Sequence, residues 1–186
     1  MKKLFALTLV LLLLLSAAAL AEEPYEFSFR GITWNSTPED VAAIEDMSTA
    51  NFHSEGNVTF ATGSNYEVGE YPYFLIYIFV DNKLTALELS FNWNGEDLQA
   101  VLDSTAKAFI EEYGEPNCKD YETINKIFSF FPNAAELTEE DVQNNYGWLL
   151  PDQRTVIFLA NLDGGGLGIA IFDLEAVSQG TVTLDE

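Results

Sequence analysis

The chain has 186 residues, thirty acidic and eight basic, and its formal charge of −22 at pH 7 argues against phosphate backbones and anionic lipid surfaces as partners. One cysteine, Cys118, excludes an intramolecular disulfide, and together with one histidine, His53, it cannot supply the N/S ligands of a structural zinc site. A composition 48% hydrophobic and 13% aromatic offers core material instead; a chain of this size buries roughly 70% of its unfolded surface, so packing alone can hold it.

At the N-terminus, Lys2 and Lys3 precede an apolar run over 4–15, and a small-residue stretch over 16–21 ends in Ala19-Leu20-Ala21. These are the three parts of a secretory signal peptide, with cleavage before Glu22. The competing reading is an uncleaved anchor, because the apolar stretch 4–21 approaches the lower limit of about 17 residues for a spanning helix. The small-residue end and the acidic pair Glu22-Glu23 suit a peptidase site better than a stop-transfer flank. No cysteine stands near the cut to take a lipid, and no second apolar run of membrane length follows. The expectation is a signal peptide over 1–21 and one domain over 22–186, secreted or, in a Gram-negative cell, periplasmic. Without Lys2 and Lys3, six basic residues face all thirty acids, a formal charge of −24.

Beyond a short leader, 27–34 reads as a first strand or extended arm. Thr37, Pro38 and Asp40 then form a capping-box start, and Val41, Ile44 and Met47 share one face of a short helix. A strand is expected at 57–62. The continuous apolar run 73–80 (YFLIYIFV) suits a central strand buried on both faces. Asp81-Asn82 tolerates positive φ and marks a tight turn, and 84–93 returns with Leu87, Leu89, Phe91 and Trp93 alternating against Glu88, Ser90 and Asn92. Asn94 caps the longest helix, whose stripe of Leu98, Val101, Leu102, Thr105, Phe109 and Tyr113 ends at Gly114 and Pro116. A strand over 123–131, a capped helical turn from Thr138 to Asp141, and strands over 146–150, 155–162 and 167–173 complete the reading. Gly164-Gly165-Gly166 makes the last hairpin turn, and 179–186 is a polar tail.

This order implies an α+β fold: an antiparallel sheet with one long and one or two short helices packed on one face. Each half runs from a helix into strands that end in a hairpin, so the halves read as a pseudo-repeat. The run Phe29-Arg30-Gly31-Ile32-Thr33-Trp34, followed by Ser36-Thr37-Pro38-Glu39-Asp40-Val41, resembles the opening of a group of small secreted bacterial domains, as does the helix ending Tyr113-Gly114-Glu115-Pro116. The layout is similar to that of the β-lactamase inhibitory protein family, in which helical segments lead into antiparallel sheets. Asn35 stands where that pattern has Gly, and the inhibitor's disulfides are missing. The resemblance implies a fold whose members mostly bind other macromolecules, and it carries over no inhibitory role.

Motifs for chemistry are few. Asn161-Leu162-Asp163-Gly164-Gly165-Gly166 lacks an oxygen side chain at the fifth position of a calcium loop and has Phe172 at the twelfth. Gly164-x-Gly166-x-Gly168 leads into a strand rather than a helix N-terminus, so it does not cradle phosphate. Cys118 lies among Glu115, Asp120 and Glu122, which disfavour the thiolate, and His53 stands in a polar connection. No cofactor is expected beyond diffuse, weak Ca²⁺ binding to clusters such as Glu136, Glu139, Glu140 and Asp141, which would raise stability as ionic strength does. Of the carboxylates, Glu88, Glu111, Glu112 and Asp173 fall on regular elements and are candidates for paired acid/base work.

Aromatic residues at strand ends remain. Trp34, Tyr71, Tyr73, Trp93, Tyr146 and Trp148 form either the rim of the core or an aromatic binding patch. The favoured reading is a secreted, non-catalytic binding module for a protein, peptide or cell-wall glycan outside the cell, with neither nucleic acid nor a membrane as partner. The alternative is a carboxylate-dependent extracellular hydrolase. Intact-mass measurement of the exported protein is expected to give the chain beginning at Glu22; a mass that includes Met1 would overturn export by cleavage.

Overall fold

The structure, a computed structural model, describes residues 26–68, 71–92, 98–128, 138–139, 146–162 and 166–179. The capping box forms as its residue types require. Thr37 Oγ1 accepts from the Asp40 backbone N at 3.2 Å, and Asp40 Oδ2 accepts from the Thr37 backbone N at 2.9 Å, opening helix α1 (Pro38–Ile44). Val41 is buried, but Ile44 is 45% exposed, so the face expected from Val41, Ile44 and Met47 is incomplete. The helix lasts seven residues, and its next residue, Glu45, turns to the protein interior.

The arm expected at 27–34 is not a strand. Phe29 and Ile32 exchange both backbone hydrogen bonds at 2.8 Å around Arg30 (φ 55) and Gly31 (φ 85). Two successive positive φ values reverse the chain, so Phe27, Phe29, Ile32 and Trp34 all enter the core from one tight turn.

Among the described residues seven strands follow: β1 (Phe52–Glu55), β2 (Val58–Val68), β3 (Tyr71–Val80), β4 (Lys83–Asn92), β5 (Tyr146–Leu149), β6 (Thr155–Leu162) and β7 (Gly166–Asp173). They make one antiparallel sheet in the order β1-β2-β3-β4-β7-β6-β5. The β3–β4 hairpin turns through Asp81 (φ 49) and Asn82 (φ 66), with Val80 opposite Lys83. β1 occupies a stretch read as connection, and β2 runs well past its expected end at Thr62. Each half is a meander, and the halves meet where β4 pairs with β7.

The long helix α2 (Leu98–Tyr113) lies over β6 and β7 with Val101, Leu102, Thr105, Ala106 and Phe109 buried. It shares that face with α1, and their apolar residues join Leu75, Leu87, Ile157 and Ile169 in one core. This is the one-sided layer of a long and a short helix on an antiparallel sheet that the pattern predicts.

The second face departs from the expectation. Where a strand was expected over 123–131, helix α3 (Tyr121–Phe128) forms, because Tyr121, Ile124 and Phe128 recur at helical spacing. A further helix, α4 (Leu174–Gln179), follows β7 directly, its first turn tied to the Asp173 carboxylate by the backbone N–H groups of Glu175 and Ala176. Ile124 and Val177 pack on Val58, Ile78, Val80, Ala86 and Val156 in a second core. The signal segment, the cap at Asn94, the turn at Gly164-Gly165, the tail beyond Gln179 and most of the helical turn after Thr138 lie outside the described residues. Among the described residues no helix is long and apolar enough to cross a membrane.

Phe109 is 1% exposed at the centre of the α2 stripe, 5.4 Å from the Trp148 ring. Phe109→Ala is expected to cost about 3–5 kcal/mol in urea unfolding, as other large-to-small core changes do. A loss below about 1 kcal/mol would mean that the stripe does not carry the core.

Candidate functional site

Three of the six aromatic candidates are core residues. Trp34 is 5% exposed; its ring stacks on Phe27 at 4.1 Å, and its Nε1 donates to Thr155 Oγ1 at 3.0 Å. That hydroxyl donates in turn to Asp152 Oδ2 at 2.5 Å. Trp148 donates from Nε1 to the Gly114 carbonyl at 2.9 Å, which locks the end of α2 to β5. Tyr73 is buried between the rings of Tyr66 and Phe91, at 5.4 and 5.3 Å. An indole at a strand end can bury its ring once its N–H finds a partner, and here both do. Of the two readings open for these aromatics, core rim or binding patch, burial gives core to Trp34, Tyr73 and Trp148. Tyr146 is half-buried, stacked on Trp148 at 6.1 Å, and its hydroxyl donates to Asp103 at 3.4 Å. Tyr71 lies at the start of β3, and Trp93 lies outside the described residues.

The nucleophile candidates are separated by the whole sheet. His53 is exposed on β1 at one edge, while the backbone N of Cys118 bonds to Gly147 of β5 at the other. Burial, and then Asp120, push the Cys118 thiol up and away from thiolate. The acid candidates do not converge either. Glu111 and Glu112 are exposed on α2. Asp173 is 2% exposed and consumed by Arg154, which donates from Nε at 2.8 Å and from a terminal nitrogen at 2.6 Å, and by the N–H groups of α4. Glu88 alternates with Leu87 and Leu89 of the first core, so it lies on the second face, across the sheet from Asp173. Among the described residues no cluster of three His, Cys, Asp or Glu could hold a metal ion.

A buried ionic cluster escaped the sequence reading. Glu45, at the C-cap of α1, has a side chain only 1% exposed. Its Oε1 accepts from Tyr77 Oη at 2.7 Å, its Oε2 accepts from Tyr66 Oη at 3.0 Å, and Arg30 approaches Oε2 at 3.2 Å. The Arg30 guanidinium also lies over the Tyr66 ring, 5.0 Å from its centre. Burial, with the hydrogen bond to Glu45, pushes the Tyr66 phenol up to about 12 and that of Tyr77 far above its ordinary value. Both phenols thus stay protonated donors. Gly63 is required beside them, since a Cβ there would run into the Tyr66 ring. The cluster clasps α1 to β2 and β3, and its carboxylate is fully engaged. One signal was in the sequence: Glu45 stands four residues after Val41, on the helix face that turns inward.

Among the described residues, a corner of the second face is left open. The helices α3 and α4 cover Ile78, Ala86 and Val156, but on the same face toward the other end of the strands stand Thr62 and Glu67 of β2, Pro72 and Phe74 of β3, and Glu88 and Ser90 of β4. Phe74 is 50% exposed, so the strand expected to be buried on both faces is open at this end. Burial holds the Glu88 carboxyl above the usual carboxylate range.

Compared with known proteins, the chain matches no family model, no curated protein sequence and no solved structure.

The raised value of Glu88 has a definite sign. Folding favours its protonated form, a contribution present below the ordinary value of 4.5 and lost as pH rises through the raised folded value. Glu88→Gln is therefore expected to raise the urea midpoint at pH 7 and to leave it nearly unchanged at pH 4. An equal shift at both pH values would show that the carboxylate bears no burial cost.

Proposed function

We propose that the protein is a secreted, non-catalytic binding module whose contact surface is this open corner and whose partner is a cationic polypeptide outside the cell. The observation that carries the reading is Phe74, half-exposed on a strand whose residues 75–80 are buried or half-buried, beside the exposed Glu67 and Pro72. An apolar ring flanked by acids on a chain of net charge −22 favours a partner that brings basic side chains with aliphatic stems. The likeness of the N-terminal motif to secreted bacterial binding domains supports the same class. The hydrolase alternative is disfavoured because Glu88 and Asp173 lie on opposite faces and Asp173 has no free oxygen to offer a substrate.

The test uses immobilised mature protein, wild type and Phe74→Thr, against the producer's culture medium and cell-wall fraction at low salt. Removal of an exposed ring should leave folding intact, because surface changes cost about 0.5 kcal/mol or less. Wild type is expected to retain a basic protein that Phe74→Thr loses by about tenfold, as for an aromatic hot spot. Equal retention by both proteins would remove the corner as the contact surface. Retention of protein-free glycan, or release of sugar from the wall, would replace this reading with a glycan-directed one.

A further inference from the structure

The two edges of the sheet are finished differently. At the β5 edge, Asn117 donates from Nδ2 to the Leu149 carbonyl at 3.1 Å and accepts from the Leu149 N–H at 2.7 Å. The backbone N–H groups of Asn117 and Cys118 both donate to the Gly147 carbonyl at 3.0 Å. The loop after α2 thereby closes that edge against an added strand. At the other edge β1 has four residues and pairs only with Val58 to Ala61 of the eleven-residue β2. Asn51 Nδ2 satisfies the Thr62 carbonyl at 3.0 Å. Past that point, among the described residues, residues 63–68 have β3 on one side and no strand on the other.

We infer that an extended, cationic segment of a partner polypeptide adds to the sheet along residues 63–68 of β2, with its side chains on the second face reaching the Phe74 corner. This rests on the binding-module reading and gives its partner a backbone conformation. An unpaired row of N–H and C=O groups is a template for any strand, and natural edges are guarded with charge and with bulges. Both guards are present: Glu67 is exposed on this stretch, and the pairing with β3 shifts register between Gly63 and Tyr66. On a chain of net charge −22 the guard repels a second copy but attracts a basic strand. Arg30, which lies over the Tyr66 ring of this stretch, is already bound to Glu45. The geometry serves the same corner. Tyr66 belongs to the first core, so Glu67 faces the second side, as do its partner Pro72 and the adjacent Phe74. An added strand lies about 5 Å from β2 and about 10 Å from β3. From there a Lys or Arg stem can lie toward Phe74 while its charged head meets Glu67.

The probe is an end-blocked octapeptide of alternating Lys and Val, with an alternating Glu/Val peptide as charge control and the Lys/Val peptide N-methylated at every residue as backbone control. Affinity is measured by calorimetry, and backbone protection by amide exchange read by mass spectrometry. The Lys/Val peptide is expected to bind one to one, to slow exchange in 63–68 and not in β5, and to weaken between about 0.01 and 0.15 M salt as the Debye length falls from about 30 to about 8 Å. The N-methylated peptide, lacking its backbone donors on both sides, should bind weakly if at all, and Glu67→Lys should weaken the Lys/Val peptide about fivefold with an unchanged melting temperature. Three results would overturn the inference: no binding of the Lys/Val peptide, binding without protection of 63–68, or protection of 63–68 already present in the free protein. Protection that grows with protein concentration alone would assign the edge to a second copy and overturn it as well. None of these touches the comparison of wild type with Phe74→Thr on the native partner, so the edge can fail while the binding surface stands.

Discussion

The pairing of β4 with β7 is the constraint on which the rest of the molecule depends. These strands stand about eighty residues apart in the chain, yet they align without a register shift from Ala86 opposite Phe172 to Asn92 opposite Gly166. A meander of four strands and a meander of three would each leave an apolar edge and two half-covered faces. Joined at this seam they share one core on each face: Leu87, Leu89, Ile169 and Ile171 point to the first, Ala86, Ala170 and Phe172 to the second. The loop-closure cost of so distant a pairing is repaid only because α2 and α3 occupy the intervening chain and cover one face each.

Buried charge marks the places where helices are fastened to that sheet. Glu45 ties α1 to β2 and β3, and Asp173 starts α4 and grips Arg154; the half-buried Asp152, in the turn before β6, receives Thr155, which itself holds the indole of Trp34. An isolated carboxylate in such a site would neutralise itself or unfold its surroundings. Each of these three has a cation or at least two N–H or O–H donors, so they act as fasteners rather than reagents. Glu88 differs, being held in apolar surroundings at the margin of the open corner.

The strong acidity bears on recognition. Under the proposed binding function, it guards an edge stretch that no described strand covers against self-association while leaving it attractive to basic polypeptides. Apolar surface, an edge that no described strand covers and negative charge meet at Phe74, residues 63–68 and Glu67, the corner proposed as the contact surface.

Local signals with a strong physical basis were legible from the sequence by itself. The Thr37 capping box, the Asp81-Asn82 turn, the β3–β4 hairpin and the Leu98 to Tyr113 stripe each rest on contacts within a few residues, and each is formed. The α+β class followed from their order. Tertiary structure decided what local pattern leaves open. Arg30 and Gly31 take positive φ because burial of Phe29 and Ile32 together outweighs an extended arm. The stretch after Tyr121 became a helix because the second face of the sheet needed a cover, while its apolar residues fit helical spacing as well as a strand. Trp34, Tyr73 and Trp148 went inside rather than outward because distant groups, Thr155 and Gly114 among them, were placed to receive their polar atoms or rings. Beyond the placement of Glu45 on the inner face of α1, the partners in its cluster and the exposed corner were illegible for the same reason: each is assembled from strands and turns whose adjacency only the folded sheet creates.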